Sequence, residues 1–279
     1  IQQVLFSLSV LGVRDMRFLW DDIYSIAELN NSIAAGDTAC GFGNTAMMLA
    51  HQQLIPKVFA AVVRPITAVR SLVAYEAGAV GPGKDCGYEN PILKAITGMP
   101  MSMEGKAASC AHLSPLGNIA AATCDLWSNE SVQNVKLLGG FAPTCSLEQL
   151  EYDCRLMNLA LSNNYGQPQQ FRDMMVDSDA FLDPQAYVLT PDNIITFADT
   201  IVKSSDYYQA GKNVALKAVD VLRDGRNRQL TKIPEKDMIF LDMIENSVAA
   251  MPEKEDDFIH QMMGIVDTSK FRPQDYSLS

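Results

Sequence analysis

Short apolar segments alternate with amphipathic ones along the first part of the chain, and this alternation constrains the fold more than any other feature. Residues 4–10 are apolar and end before Gly12, which is typical of a buried strand. Residues 15–31 repeat apolar side chains at helical spacing, and residues 32–36 form a second short apolar run. The order strand, helix, strand, helix indicates βα units around a parallel sheet.

The same alternation continues to about residue 145. A helix is expected over residues 56–79, bent or interrupted at Pro65, and another over residues 89–97. Residues 100–104 and 132–138 are further strand candidates. About three to four such units make roughly half of an eightfold barrel of ~250 residues. We therefore expect an α/β fold, a partial (β/α)8 TIM-type barrel.

The remainder of the chain, from Ser146, has helical periodicity. We therefore expect two regions, with residues 1–145 forming the barrel part that carries the functional site and residues 146–279 forming a helical C-terminal region. The helices expected in the second region cover residues 146–163, 171–181, 192–204, 206–223, 234–250 and 256–266, with a turn at 224–227.

Charge and cysteine content exclude several classes of partner and compartment. The 279 residues have a formal net charge of −11, whereas binding to phosphate groups requires clustered Lys and Arg. We therefore expect neither nucleic acid nor an anionic membrane as a partner, and no run of apolar residues is long enough to span a bilayer. The six cysteines lie among apolar segments of a chain that is large enough to fold without disulfides. This pattern predicts reduced thiols and a cytoplasmic protein.

Two of these cysteines, Cys40 and Cys86, each lie in a loop that contains Gly and Asp and leads into a helical segment. Thiolates bind metals, and a helix N-terminus stabilises the thiolate form. Structural zinc sites usually use ligand pairs about two to four residues apart, so this wide spacing suits two single ligands on successive barrel loops. Free cysteine is also among the most buried residue types, and the spacing alone leaves two core cysteines as the alternative.

The sequence around Cys86 carries a resemblance to a known family. Residues 70–90 read RSLVAYEAGAVGPGKDCGYEN, and further matching segments occur at residues 95–105, 127–132, 152–158 and 183–187. Together they closely resemble the zinc subunit of methanol–corrinoid protein methyltransferases, along essentially the whole chain. The loop around Cys86 is the most specific part of this resemblance.

The resemblance implies a zinc enzyme that transfers the methyl group of methanol to the cobalt of a corrinoid. It implies that Cys40 and Cys86 are the two thiolate zinc ligands. It also implies a homodimer within a hetero-oligomer, with the corrinoid carried by a separate corrinoid protein. Zinc suits this chemistry because it polarises the alcohol oxygen, has no redox chemistry and leaves a coordination position for substrate.

One feature of the family is absent from the printed sequence. The third zinc ligand of the family is a glutamate on an earlier strand, which aligns upstream of Ile1. We therefore expect either that the chain is a fragment or that its carboxylate ligand comes from elsewhere. The apolar opening of the sequence, without Met, favours a fragment.

Proton donors are the least determined part of the predicted site. Asp37, Asp85, Glu89 and Glu104 occur in the same loops or at strand ends, and each alternatively serves as a helix cap or supports a metal ligand. Asp85 and Glu89 rank first as catalytic residues because they flank Cys86. Cys110 and His112 are a separate Cys/His pair two residues apart, which suits zinc ligands or a nucleophile and its base, but a structural role is the favoured alternative.

Two alternatives to methanol chemistry remain at this point. A pocket slightly larger than that for methanol would use the same motifs for another small methyl donor. A non-catalytic relative that binds the corrinoid protein without turnover is the second alternative, and the absent glutamate is its support.

Overall fold

Helices dominate the part of the chain that the structure describes. The structure is a computed structural model, and it describes residues 1–35, 41–80, 83–85, 88–99, 101–103, 115–116, 119, 155–162 and 167–278.

The first half contains five helices and two short strands with described bounds, and residues 115, 116 and 119 are also helical. The elements with described bounds are α1 (Gln2–Phe6), which continues through a π-helical turn (Ser7–Leu11) into α2 (Gly12–Leu29), then α3 (Gly41–His51), α4 (Lys57–Glu76), β1 (Gly83–Asp85), α5 (Asn90–Thr97) and β2 (Met101–Met103).

The described residues of the second half form helices joined by turns and irregular segments. Residues 155–161 are helical, followed by α6 (Pro168–Ala180), α7 (Pro184–Tyr187), α8 (Pro191–Val202), α9 (Tyr207–Asn227), α10 (Glu235–Ala249), α11 (Glu255–Met263) and a 3-10 turn (Pro273–Tyr276).

Local sequence signals explain several helix starts. Asp183 precedes α7, and its side chain accepts a hydrogen bond from the backbone N–H of Gln185. Asp206 precedes α9 and accepts one from the backbone N–H of Gln209 in the same way. Pro191 occupies the first turn of α8, where its missing N–H costs nothing.

The predicted turn at 224–227 is wrong, because α9 continues to Asn227.

Helix α4 is the centre of the fold. It is apolar on almost all sides and packs against α2, α3, α5, α9 and α10. Of the described helices, α4 is the one long and apolar enough to cross a membrane, but 83% of that apolar window is buried inside the protein. This burial is typical of a core helix. Pro65 lies within α4 without ending it.

The expected partial (β/α)8 TIM-type barrel is wrong for the described residues. They are predominantly helical, and the strands they contain are β1 and β2, each three residues long. Residues 4–10, expected as a strand, are helical, and residues 32–35 are irregular. Leu5, Phe6, Leu8 and Val10 are all buried, and a short apolar run that is buried on several sides fits a helix as well as a strand. The strand expected at 132–138 lies outside the described residues.

β2 confirms the strand expected at residues 100–104, whereas β1 was not predicted. β1 and β2 are parallel, with Gly83 opposite Met101 and Asp85 opposite Met103. Their carboxyl ends therefore lie at the same edge of the pair. Cys86 and Glu104 follow these ends directly in the sequence.

One hydrophobic cluster joins residues from both predicted regions. It includes Val62 and Ile66 of α4 together with Val214 and Ala218 of α9. Phe258 of α11 stacks on Tyr208 and meets Phe6 edge-on, with ring centroids 5.0 and 6.0 Å apart. The division at residue 145 stays a prediction.

Candidate functional site

The predicted zinc ligands, Cys40 and Cys86, lie outside the described residues, as do Asp37 and Glu104. The structure does describe what stands next to them in the chain. Helix α3 begins at Gly41, β1 ends at Asp85, and the buried segment 88–90 leads into α5. The described part of the chain contains no group of three or more His, Cys, Asp and Glu side chains that could hold a metal ion.

Arg64, in the middle of α4, contacts the first turn of α3. Its Nη2 donates to the backbone oxygen of Gly43 at 2.9 Å, and its Nη1 donates to Oδ1 of Asn44 at 3.3 Å. Gly43 is buried against this guanidinium, because a Cβ there would lie 2.9 Å from Nη1 of Arg64 and 3.0 Å from Cγ2 of Thr67. The residues that follow Cys40 therefore lie directly on α4.

The same guanidinium contacts the residues that follow Cys86. Nη1 of Arg64 lies 3.6 Å from Oε2 of Glu89, and the guanidinium carbon lies 5.1 Å from the ring centroid of Tyr88. A cation over an aromatic face at this distance is attracted by the ring quadrupole. Arg64 therefore touches both segments that lead away from the predicted ligands.

Glu89 faces two side chains of α4. Ser71 Oγ donates to its Oε1 at 3.2 Å, while Arg64 faces its Oε2. The side chains of Arg64 and Glu89 are both fully buried. Removing one member of a buried ion pair leaves the other as an uncompensated charge and is strongly destabilising. Arg64 and Glu89 therefore depend on each other.

Asp85 is the last residue of β1 and lies opposite Met103 in the register. This places its backbone at the edge of the strand pair where β1 ends, next to Cys86 in the sequence. Both first-ranked proton-donor candidates thus flank Cys86 in the sequence, and of the two, Glu89 has described side-chain contacts, to Arg64 and Ser71 of α4.

The amino-acid sequence matches the methanol-cobalamin methyltransferase B subunit family over residues 1–277. The chain belongs to this family. A methanol–corrinoid protein co-methyltransferase from Methanosarcina barkeri (strain Fusaro) is 42% identical over 99% of this chain and 60% of the relative. The match confirms the resemblance found in the motifs.

A solved structure of a family member has the same fold. The methanol:cobalamin methyltransferase complex from Methanosarcina barkeri contains a chain that superposes with a TM-score of 0.85 at 41% sequence identity. The match covers 99% of the present chain and 61% of the solved one. The chain therefore spans about three fifths of the length of the relatives that it matches.

Arg64 and Ser71 are not among the site residues predicted from the sequence of this protein. One feature of the sequence points to Arg64. An arginine in the middle of a strongly apolar helix has to face a partner, since Arg is almost never fully buried unless it is paired. The partner is Glu89, which is three residues after Cys86 in the sequence. A buried arginine on α4 therefore indicates that this helix packs against the segment that follows Cys86.

Proposed function

We propose that this protein carries out zinc-dependent transfer of the methyl group of methanol to the cobalt of a corrinoid held by a partner corrinoid protein. Cys40 and Cys86 act as thiolate ligands of the zinc. Family membership supports the reaction class, and the names of the two relatives supply the alcohol and the corrinoid.

The single observation that carries the zinc assignment is the meeting of two segments at Arg64. Gly43 is three residues after Cys40, and Tyr88 is two residues after Cys86. An extended chain spans at most ~3.6 Å per residue, so connectivity limits Cys40 to about 11 Å from Gly43 and Cys86 to about 7 Å from Tyr88. These upper limits are compatible with both sulfurs reaching one ion. Cysteine thiolates also match the ligand preference of zinc.

Zinc, when bound, supplies Lewis acidity that makes the alcohol oxygen a better leaving group. The residues of the chain position the site and handle protons. Two thiolate ligands reduce the positive charge at the metal, so a proton donor near the oxygen helps its departure. Asp85 and Glu89 are the proposed donors, and the ion pair with Arg64 makes Asp85 the better of the two.

The proposed assembly is a homodimer that binds the corrinoid protein within a hetero-oligomer. The solved relative is a methanol:cobalamin methyltransferase complex, which supports a corrinoid partner. The protein is proposed to act in the cytoplasm, because two thiolate ligands require a compartment that keeps cysteine reduced. Its acidic charge favours neither nucleic acid nor a membrane.

Metal analysis of the purified chain tests the zinc assignment. The wild type is expected to hold one zinc per chain, and Cys40→Ala and Cys86→Ala to lose it. Cys145→Ala is the matched control and should keep its zinc. Zinc that persists in both ligand variants, or a folded wild-type chain that takes up none, would contradict the assignment; the second result favours a non-catalytic subunit.

Methyl transfer from methanol to the corrinoid protein tests the substrate. The rate with methanol should exceed the rate with other small methyl donors, such as methylamine or methanethiol. A faster reaction with one of these donors would show that the protein performs the same methyl transfer on a substrate other than methanol.

A further inference from the structure

We propose that the cavity between α6, α8 and α9 is a binding site for a ligand that carries an organic ammonium group. The methyl transfer proposed above does not use this cavity, and all of the lining residues belong to the part of the chain that the structure describes. The two sites can therefore be tested separately, and failure of one leaves the other intact.

The size of the cavity suits a small ligand or a single side chain. Its volume is about 890 Å³, within the ~300–1,000 Å³ of cavities that bind small molecules, and it is partly open to solvent. Val176 of α6 and Val221 of α9 supply apolar surface, and Phe181 adds an aromatic ring. These side chains can contact the carbon skeleton of a ligand.

The charges of the lining leave an excess of carboxylate. Five aspartates and three cations line the cavity. Each cation pairs with an aspartate that is close in the sequence: Arg172 with Asp173 at 2.5 Å, Lys217 with Asp220 at 3.9 Å and Arg228 with Asp224 at 3.0 Å. Asp177 and Asp192 remain, and neither forms an ion pair with another described residue.

The two remaining carboxylates are on different helices, Asp177 on α6 and Asp192 in the first turn of α8. Attraction between opposite charges extends over about 8 Å at physiological ionic strength. A cleft that is lined by an excess of one charge also concentrates the opposite charge inside it. A cation in this cavity is therefore attracted from two of its walls.

Aspartates alone do not define a site on a protein with a net charge of −11. The second observation is Tyr187, which lines the same cavity and is only 7% exposed. A Cβ at Gly225 would collide with its ring, so the ring lies directly against α9. The position of the phenol is consequently fixed by packing.

The hydroxyl group of Tyr187 has a proton to donate. Burial raises the pKa of Tyr187 from its ordinary value of 10.0, so the phenol is protonated at neutral pH. The side chain of Asn193 forms a hydrogen bond that opposes this shift, which means that it donates to the phenol oxygen. Among the described residues, the hydroxyl proton has no acceptor. Because buried polar groups are normally paired, an oxygen atom of a ligand in the cavity is the missing acceptor.

These features together define the chemical class of the ligand. It carries an ammonium group for the two carboxylates, an alkyl part for the apolar surface and an oxygen acceptor for Tyr187. Two sources have this chemistry: a lysine side chain with the backbone carbonyls of a protein segment, and a free small amine.

Ligand-observed NMR titration of the purified chain tests the site with two matched pairs of probes. Nα-acetyl-lysine amide is compared with its Nε-acetylated form, which lacks the charge, and n-butylammonium is compared with n-butanol. The charged member of each pair should bind more tightly. Neutral probes that bind as tightly as the charged ones, or no binding of either ammonium probe, would overturn the proposal.

The same titrations distinguish the two sources. Tighter binding of the lysine amide than of n-butylammonium would support the site and identify a protein segment as the source. Equal or tighter binding of n-butylammonium would support the site and identify a free amine.

Isosteric variants test the carboxylates. Asp177→Asn and Asp192→Asn should each weaken the binding of both ammonium probes by about 2–5-fold, the effect of losing one exposed ion pair. Asp199→Asn is the matched control, since it removes the same charge from α8 outside the cavity, where Asp199 pairs with Lys203 at 2.8 Å. Equal losses in all three variants would reveal a general attraction of cations to an acidic protein and would overturn the proposal.

Tyr187→Phe keeps the ring and removes the hydroxyl group. It should weaken the binding of the lysine amide, which has carbonyl acceptors, by about 2–10-fold, the effect of losing one hydrogen bond. The affinity for n-butylammonium, which has no acceptor, should stay unchanged. Circular dichroism confirms that each variant is folded, and equal affinities of folded Tyr187→Phe and the wild type for the lysine amide would contradict the role of Tyr187.

Discussion

At the scale of single residues, the pair Arg64–Glu89 shows what the sequence made predictable and what it did not. The sequence singles out Glu89 because it is close to Cys86. Its ion-pair partner, Arg64, is distant in the sequence and lies on α4, whose apolar sequence is typical of a core helix. Which of several nearby carboxylates faces the substrate and which faces the interior depends on tertiary packing. The proposed roles of Asp85 and Glu89 therefore could not be separated from the sequence.

Removal of Arg64 should destabilise the protein far more than removal of an exposed cation. Arg64→Met leaves Glu89 as a buried charge without its counter-ion, and the free energy of unfolding should fall by about 3–5 kcal/mol. Lys203→Met, which breaks an exposed i,i+4 pair with Asp199, should lower it by only about 0.3–0.5 kcal/mol. Urea denaturation of both variants gives the comparison, and similar losses would contradict the burial of the pair.

Tyr207 should make the protein sensitive to alkali. Burial and the neighbouring Glu76 carboxylate raise the pKa of Tyr207 from 10.0 to about 12. Because the folded state holds this proton more tightly, the stabilisation is present below pH 10.0 and is lost as the pH rises to about 12. Tyr207→Phe should therefore have a shallower decline of stability over this range, measured by urea denaturation at successive pH values. Parallel curves for the two proteins would refute the effect.

At the scale of elements, most helices after residue 146 that fall in the described part could be read from apolar periodicity. Those at the start could not. The apolar run at residues 4–10 is too short to distinguish a buried strand from a buried helix. In the structure this run is helical and continues into α2. The strand at 101–103 was found because its alternation ends at a clear boundary.

The contact between α9 and the π-helical turn after α1 depends on Gly211. A Cβ at this position would collide with Ser9 Oγ and lie 3.0 Å from Cδ2 of Leu5. Gly211→Ala should therefore destabilise the protein by about 1–3 kcal/mol, as overpacking of a core usually does. Thermal or urea unfolding measures the change.

Gly264 provides the matched control, because its nearest neighbour would lie at an ordinary 3.5 Å from the added methyl group. Gly264→Ala should change stability by no more than about 0.5 kcal/mol. Equal effects of the two substitutions would mean that the two helices do not approach as closely as described.

At the scale of the whole molecule, the family was predictable and the architecture was not. The motif around Cys86 identified the family, whereas the barrel expectation failed for the described residues, where α4 is surrounded by other helices. Charge and composition excluded partners without indicating how helices would pack. The cysteine pair itself was chosen from the motif, and its geometry stays a prediction.

The shared core predicts how the chain unfolds. Since α4 and α9 belong to one hydrophobic cluster across the proposed boundary at residue 145, the two regions should unfold together. Circular dichroism and tryptophan fluorescence should give coincident urea transitions. Two separated transitions would show that the regions are independent domains.

The most direct test of the zinc site is X-ray absorption at the zinc edge of the metal-loaded chain. Two sulfur neighbours at about 2.3 Å are predicted for the wild type, and Cys40→Ala and Cys86→Ala should not hold enough zinc to give this spectrum. A spectrum with no sulfur neighbours, or one left unchanged by both substitutions, would contradict the account.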